Sequence, residues 1–323
     1  MDQNRYIIET SAENPDLSRN EIVSIKDTYN NFDIIYNNEK FFLVRGDMDN
    51  LKDGAFVNYI SRILDKKDNF ERLKADIPDG KFFVRASGCG KNESEFIESS
   101  IGKILNGKGR ISFTSPNFKI RVIKVNEWYL CIQTYEKNKK DLESRRAPLR
   151  PFFSPVSLHP KYARYIVNTS YTKKDDTLLD PFCGTGGILI EAALTGRKII
   201  GNDASLNMVM GAKLNLKYFD IKNAVMYNQD INNLKLDKNV DAIVTDMPYG
   251  RSSTLNKNDI QNLYKNSFEK FNEFLKPHGH CSIIINNLDF LEYSKKYFKI
   301  NKTIPVYQHK SLTRFFIAME KIN

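Results

Sequence analysis

Thr177-Leu178-Leu179-Asp180-Pro181-Phe182-Cys183-Gly184-Thr185-Gly186-Gly187-Ile188-Leu189-Ile190-Glu191-Ala192-Ala193-Leu194 reads as an apolar strand, a glycine turn and the opening of a helix. Gly184, Gly186 and Gly187 remove side chains where the chain must turn, so backbone N–H groups can face a ligand. Cys183 fits the turn as a small residue. Downstream, strands at 198–201, 224–227, 241–245 and 281–285 alternate with helices near 187–195, 205–217 and 260–275. Leu312 to Ala318 supplies a last strand. Alternation of this length builds a mostly parallel α/β sheet covered on both faces, with ligands at the carboxyl ends of its strands.

Acidic residues mark those ends. The turn is not the G-x-G-x-x-G dinucleotide pattern. Asp180, closing the first strand, can accept from a cationic amino group, which S-adenosyl-L-methionine has and a pyrophosphate lacks. Asp203, nineteen residues after Gly184 at the tip of the second strand, is placed to accept ribose hydroxyls. Asp230 ends the third strand and can accept from an adenine amine. Asp180, Gly184, Gly186, Asp203 and Asp230, with Phe182 in the turn between them, are the expected cofactor residues. The fourth strand ends in Asp246-Met247-Pro248-Tyr249. An exocyclic amine on a base is a poor nucleophile because its lone pair is delocalised into the ring. If the Asp246 carboxylate and the Pro248 carbonyl each accept one N–H, the nitrogen can rehybridise toward a methyl donor. Tyr249 can stack on a flipped base, and Asp246 can take the proton.

The rest of the 323-residue chain is long for one core, so further domains are expected. Over 1–74, strands at 6–10, 32–36 and 41–44, a Ser18/Glu21 capping box and a helical spacing of Phe56, Ile60, Ile63 and Leu64 predict a ferredoxin-like βαββα unit. Over 75–138, a strand at 81–85 leads to a helix at 93–105 with Phe96, Ile97, Ile101, Ile104 and Leu105 on its buried side. Strands at 119–123 and 128–132 close that unit. Residues 139–157 are charged and proline-punctuated, a linker with no core of its own, and 158–323 carry the α/β domain. The net charge of +10 divides as −5 over 1–79, +8 over 80–150 and +7 over 151–323. A basic middle and end point to a polyanion partner. Four scattered cysteines and four scattered histidines predict no disulfide frame and no metal site. The absence of a bilayer-length apolar run and of a signal-peptide pattern predicts a cytoplasmic protein without a membrane partner.

Four further stretches are Arg150-Pro151-Phe152-Phe153-Ser154-Pro155, Leu158-His159-Pro160-Lys161-Tyr162-Ala163-Arg164, Tyr249-Gly250-Arg251-Ser252 and Ser311-Leu312-Thr313-Arg314. With the two loops above, they resemble the THUMP-containing tRNA guanine methyltransferases, and among these the archaeal-type tRNA (guanine-10, N2) methyltransferases. The resemblance implies a Rossmann-like S-adenosylmethionine-dependent methyltransferase domain preceded by ferredoxin-like and THUMP units. It implies methylation of a guanine N2 amine in tRNA, giving N2-methyl- or N2,N2-dimethylguanosine. It also implies that the THUMP unit grips the acceptor end, with Lys91, Lys103, Lys108, Arg110, Lys119, Arg145 and Arg146 as RNA-binding residues. A small zinc-binding activator subunit serves some relatives, and a monomer is otherwise expected. Met247 departs from the family, which has the first of two prolines there. Three alternatives stay open: guanine N2 methylation on another nucleic acid, adenine N6 methylation, or a non-catalytic tRNA-binding protein.

Overall fold

The computed structural model describes residues 4–66, 77–105, 107, 109–155, 157–249, 257–309 and 312–322. The chain divides into two compact units, Met1–Arg19 with Asn30–Lys137 and Asn20–Tyr29 with Asn138–Asn323. No helix among the described residues is long and apolar enough to cross a membrane.

The first unit holds β1 (Arg5–Thr10), the start of α1 (Pro15–Tyr29, whose residues from Asn20 on belong to the second unit), β2 (Phe32–Asn37), β3 (Phe41–Gly46) and β4 (Val57–Lys66). Then come β5 (Phe82–Ser87), α2 (Lys91–Ile104), β6 (Phe118–Lys124) and β7 (Trp128–Glu136). The seven strands form one sheet in the order β2-β3-β1-β4-β7-β6-β5. β4 joins the two halves, pairing antiparallel with β1 on one side and β7 on the other. The β2–β3 hairpin forms where Asn38 Oδ1 accepts the backbone N–H groups of Lys40 and Phe41 at 3.0 and 2.9 Å.

Two expectations are corrected here. The helix expected over 51–64 is a 3₁₀ turn at Asp49–Asp53 followed by strand β4. Register shifts leave an extra residue in β4 at Asn58 against β1 and at Leu64 against β7, so its apolar side chains recur at helical rather than alternating intervals. Phe96 does not face the core of α2. It is 73% exposed, while Ile101 and Leu105 are buried.

Beyond its part of α1, the second unit holds α3 (Lys139–Ser144) and α4 (Pro160–Asn168). Its sheet then follows as β8 (Thr177–Asp180), α5 (Gly187–Leu194), β9 (Lys198–Asn202), α6 (Leu206–Tyr218), β10 (Ala224–Tyr227) and β11 (Val240–Asp246). α7 (Lys257–Phe274), β12 (Leu275–Ile285), β13 (Phe298–His309) and β14 (Leu312–Lys321) complete it. The strand order is β10-β9-β8-β11-β12-β14-β13, parallel from β10 to β12 and antiparallel around β14. β13 had not been anticipated. α7 packs through Tyr264, Phe268, Phe271 and Phe274, spaced three or four residues apart and at most 2% exposed. Each such ring contributes about 1.5–3 kcal/mol by leaving water.

Residues 139–157 are more than a linker. Leu142, Ala147 and Arg150 are buried, and Asn215 of α6 bonds both the N–H and the carbonyl of Phe152, at 2.9 and 3.0 Å. The strand order reverses between β8 and β11. In an open sheet that reversal leaves a crevice at the carboxyl ends of the two strands. Asp180 and Asp246 are the residues that end them.

Candidate active site

The crevice opens into a cleft of about 860 Å³ lined by the β8, β9, β10 and β11 loops. Backbone geometry sets its floor. Gly184 and Gly186 sit at φ +51° and +78°, the left-handed region that side chains disfavour. A Cβ at Gly184 would point into open space, so a ligand can approach this turn without steric cost. Asn202, 1% exposed, stitches three strand tips together. Its Nδ2 donates to the carbonyls of Pro181 and Gln229 at 3.1 and 3.0 Å, and its Oδ1 accepts the Gln229 N–H at 3.1 Å.

The acids expected to hold a cofactor meet in this cleft. Asp180 is 1% exposed. Its Oδ1 accepts from the Thr245 hydroxyl at 2.7 Å and the Phe182 N–H at 3.2 Å. Its Oδ2 is buried without a partner among the described residues. Burial pushes the Asp180 carboxyl up to about 8, against the two hydrogen bonds that favour its charge. A buried acid lacking a donor fits a ligand that brings a cation. Asp203 accepts the N–H groups of Gly184 and Ser205, each at 2.9 Å, and so fixes the glycine turn while each oxygen keeps a lone pair. Asp230 is exposed, held by Asn232 at 2.8–2.9 Å. Phe182 lines the cleft and packs on Phe271, 6.5 Å between ring centres. The donor set, the open glycine turn and the unpaired acid fit S-adenosyl-L-methionine.

Across the cleft lies the Asp246 loop. The Tyr249 hydroxyl donates to Asp246 Oδ1, and among the described residues no hydrogen bond reaches Oδ2. Arg314 Nη1 stands 3.7 Å from that Oδ2. Burial raises the Asp246 carboxyl to about 6, with Arg314 as the largest opposing influence. The same burial, beside the Asp246 charge, drives the Tyr249 phenol far up, so it stays a donor. Pro248 offers its carbonyl, which accepts the Tyr264 hydroxyl at 3.3 Å and has a second lone pair. The arrangement presents acceptors for an amine opposite acceptors for a cationic cofactor.

Comparison with known proteins agrees with this geometry. A model of the RMKL-like methyltransferase domain matches residues 148–314. A tRNA (guanine(10)-N2)-dimethyltransferase from Methanothermobacter thermautotrophicus is 34% identical over 72% of this chain and 71% of its own. The protein of that name from Pyrococcus abyssi is 35% identical over 76% and 75%. The chain belongs to the tRNA (guanine(10)-N2)-dimethyltransferase family. Its fold is also that of TrmN from Thermus thermophilus, at TM-score 0.59 and 20% identity over 98% of this chain and 100% of that one.

Sequence reasoning gave no role to four residues that line or support this family member's cleft: Asn202, which lines it, and Thr245, Tyr264 and Arg314, which bond or face its lining residues. A polar residue ending an apolar strand was a signal for the first two. Tyr264 looks like any core aromatic of an amphipathic helix, and Arg314 is distant in sequence.

The expected RNA-binding residues fare unequally. Arg145 is engaged inside the unit: its guanidinium grips Glu191 through Nε–Oε1 at 2.7 Å and Nη2–Oε2 at 3.1 Å, and Glu191 is fully buried. Arg164 holds the same carboxylate at 2.8 Å. Arg145 braces a buried carboxylate through its Nε/Nη2 edge, and its side chain is only 13% exposed. Lys119 pairs with Glu136, Arg146 with Glu143 at 3.3 Å and Lys91 with Glu95 at 4.0 Å. These are half-buried or exposed pairs worth about 0–1 kcal/mol, easily exchanged for a phosphate. Lys103 and Arg110 are exposed, and Lys108 lies outside the described residues.

Proposed function

We propose that the protein methylates the N2 amine of a guanine in tRNA, at position 10 as in the names of its relatives, using S-adenosyl-L-methionine. One observation carries the reading: a single cleft holds the acids Asp180, Asp203 and Asp230 on one side and the Asp246–Tyr249 loop on the other. Asp180 would hold the cofactor's ammonium, Asp203 its ribose hydroxyls and Asp230 its adenine amine. When bound, the cofactor supplies an electrophilic methyl carbon whose C–S bond breaks as the amine lone pair forms the N–C bond, leaving a neutral thioether and one excess proton on nitrogen.

The chain's own residues do the rest. Asp246 Oδ2 and the free lone pair of the Pro248 carbonyl accept the two amine N–H groups and turn the nitrogen lone pair out of the ring plane. Asp246, ionised above about pH 6, then takes the excess proton. Tyr249 keeps one ring face for the base, since Arg314 lies over the ring with Cζ 5.6 Å from its centre.

The first unit supplies the RNA surface in this reading. Lys91, Lys103, Arg110 and Lys119 lie within its basic stretch, and phosphate contacts give affinity without reading sequence. The THUMP character of 75–138 and its grip on the acceptor end rest on the family resemblance. A cytoplasmic place of action suits a tRNA substrate. An activator subunit, if used, has an apolar stripe to fit: Leu206, Met210, Leu214 and Tyr218, spaced by four on the exposed face of α6 beside edge strand β10.

The test is a product assay. Unmodified tRNA transcript incubated with labelled cofactor and digested to nucleosides yields N2-methylguanosine or its dimethyl form. Methyladenosine, or tight tRNA binding with no product, contradicts the reading.

A further inference from the structure

Arg314 belongs to β14, two strands from the Asp246 loop in the sheet order β11-β12-β14. β12, which lies between, ends at Ile285 opposite Phe315. Arg314 is the next residue along β14, so its side chain reaches Asp246 across the carboxyl end of β12. The two side chains are each 16% exposed, and Arg314 Nε is buried without a hydrogen-bond partner among the described residues. A guanidinium held this way has a task other than solvation.

The separation defines the task. At 3.7 Å the pair attracts, but it is too long for a hydrogen bond. Asp246 Oδ2 therefore keeps its lone pairs while feeling a full positive charge, and Oδ1 is already taken by Tyr249. None of the other titratable groups facing Asp246 is a cation. They are Tyr249 on the same loop, Tyr264 on α7 and Asp180 at the end of β8, and Asp259 of α7 lines the same cleft. The Tyr249 hydrogen bond also favours the ionised carboxylate, but none of these groups brings a positive charge. Among the described residues, Arg314 is the cation that does.

We propose that Arg314 is a positioning residue for methyl transfer, keeping the Asp246 carboxylate ionised while leaving Oδ2 open to an N–H of the target amine. The inference rests on the reading of Asp246 as the amine's acceptor. An opposite charge at this range lowers a carboxyl's titration by about one to three pH units. Without it, Asp246 would be from about half to almost wholly protonated at pH 7, presenting a hydroxyl donor where the amine needs an acceptor.

The test compares wild type with R314M and R314K. Carbon-13 carboxylate NMR of the aspartate-labelled, ligand-free protein, with D246N to assign the signal, reads the Asp246 titration directly. R314M is expected to move it up by about one to three pH units, and R314K, which keeps the charge, by much less. In transfer assays the acidic limb of kcat should move by the same amount in R314M. At pH 7 kcat falls about twofold to a hundredfold, recovers toward pH 9, and leaves the cofactor Kd within twofold. Should R314M not fold, R314Q serves the same comparison. An Asp246 signal titrating at the same pH in wild type and R314M overturns the proposal, whatever the activity. A shifted signal in a protein whose wild type transfers no methyl group upholds the electrostatic role of Arg314 and sinks the reading of the reaction instead.

Discussion

The backbone N–H of Met247 donates to the carbonyl of Ile284 across 3.0 Å, carrying the β11–β12 ladder one residue past Asp246. Proline, which the resembling family has at this place, has no N–H to give. The side chain of Met247 is 1% exposed and packs in the same cluster as Tyr264 and Phe268. Here a hydrogen bond and a core contact hold the loop where a proline ring would stiffen it. Asp246, Pro248 and Tyr249 all line the cleft, so the departure from the family pattern is compatible with activity. Met247→Pro should lower stability by about 1–3 kcal/mol, because the buried Ile284 carbonyl loses its donor. Urea unfolding reads this, and an unchanged midpoint would show that the bond contributes nothing.

In the proposed mechanism, the pH dependence of transfer follows from Asp246. Burial raises its carboxyl to about 6, so the acceptor form exists above that pH and is lost below it. Single-turnover rates with saturating tRNA and cofactor should be half-maximal near pH 6 and level above pH 7. A rate that stays flat down to pH 5 would remove Asp246 from the proton's path.

Cofactor binding should expel a proton. Asp180 titrates near 8 in the free protein because burial disfavours its charge, so it is mostly protonated at pH 7. A cationic amino group beside it favours the ionised form and drives the proton out. Calorimetry at pH 7 in buffers of different ionisation enthalpy should report release of close to one proton, fading above pH 8. Equal heats in all buffers would place the ammonium elsewhere.

The arginines around Glu191 make a stability prediction. Arg145 and Arg164 both end on this fully buried carboxylate. Glu191→Ala leaves two guanidinium groups without their anion and should cost about 3–5 kcal/mol, read by denaturant unfolding. A loss under 1 kcal/mol would mean that water or another acceptor takes over.

Charge reversal on the first unit probes the RNA surface. Lys91→Glu with Lys103→Glu should raise the KM for tRNA at unchanged kcat and reduce the salt dependence of binding. Each lost phosphate contact removes about 0.7–0.9 from the logarithmic slope. Arg145→Gln, by contrast, should act through stability. If the lysine variant binds tRNA as wild type does, the RNA surface lies elsewhere.

Much of the second unit was legible because its signals are local. The glycine turn at 184–187 and the acids at strand tips lie within a few residues of the structure they specify. The 51–64 segment misled because bulges in β4 break the alternation that identifies a strand. Arg145 looked like a phosphate contact because nothing near it in the chain announces Glu191, which arrives from α5. Arg314 escaped for the same reason: only sheet order brings β14 beside the Asp246 loop. What the chain writes locally was readable, and what pairing across the sheet creates was not.

Mass-spectrometric mapping of tRNA treated with wild type and Asp246→Asn tests the central claim most directly. Wild type should place one or two methyl groups on N2 of guanine 10. D246N should bind the cofactor as wild type does and transfer about a hundredfold to ten-thousandfold more slowly. A methyl group on another atom, or full transfer by D246N, would contradict the account.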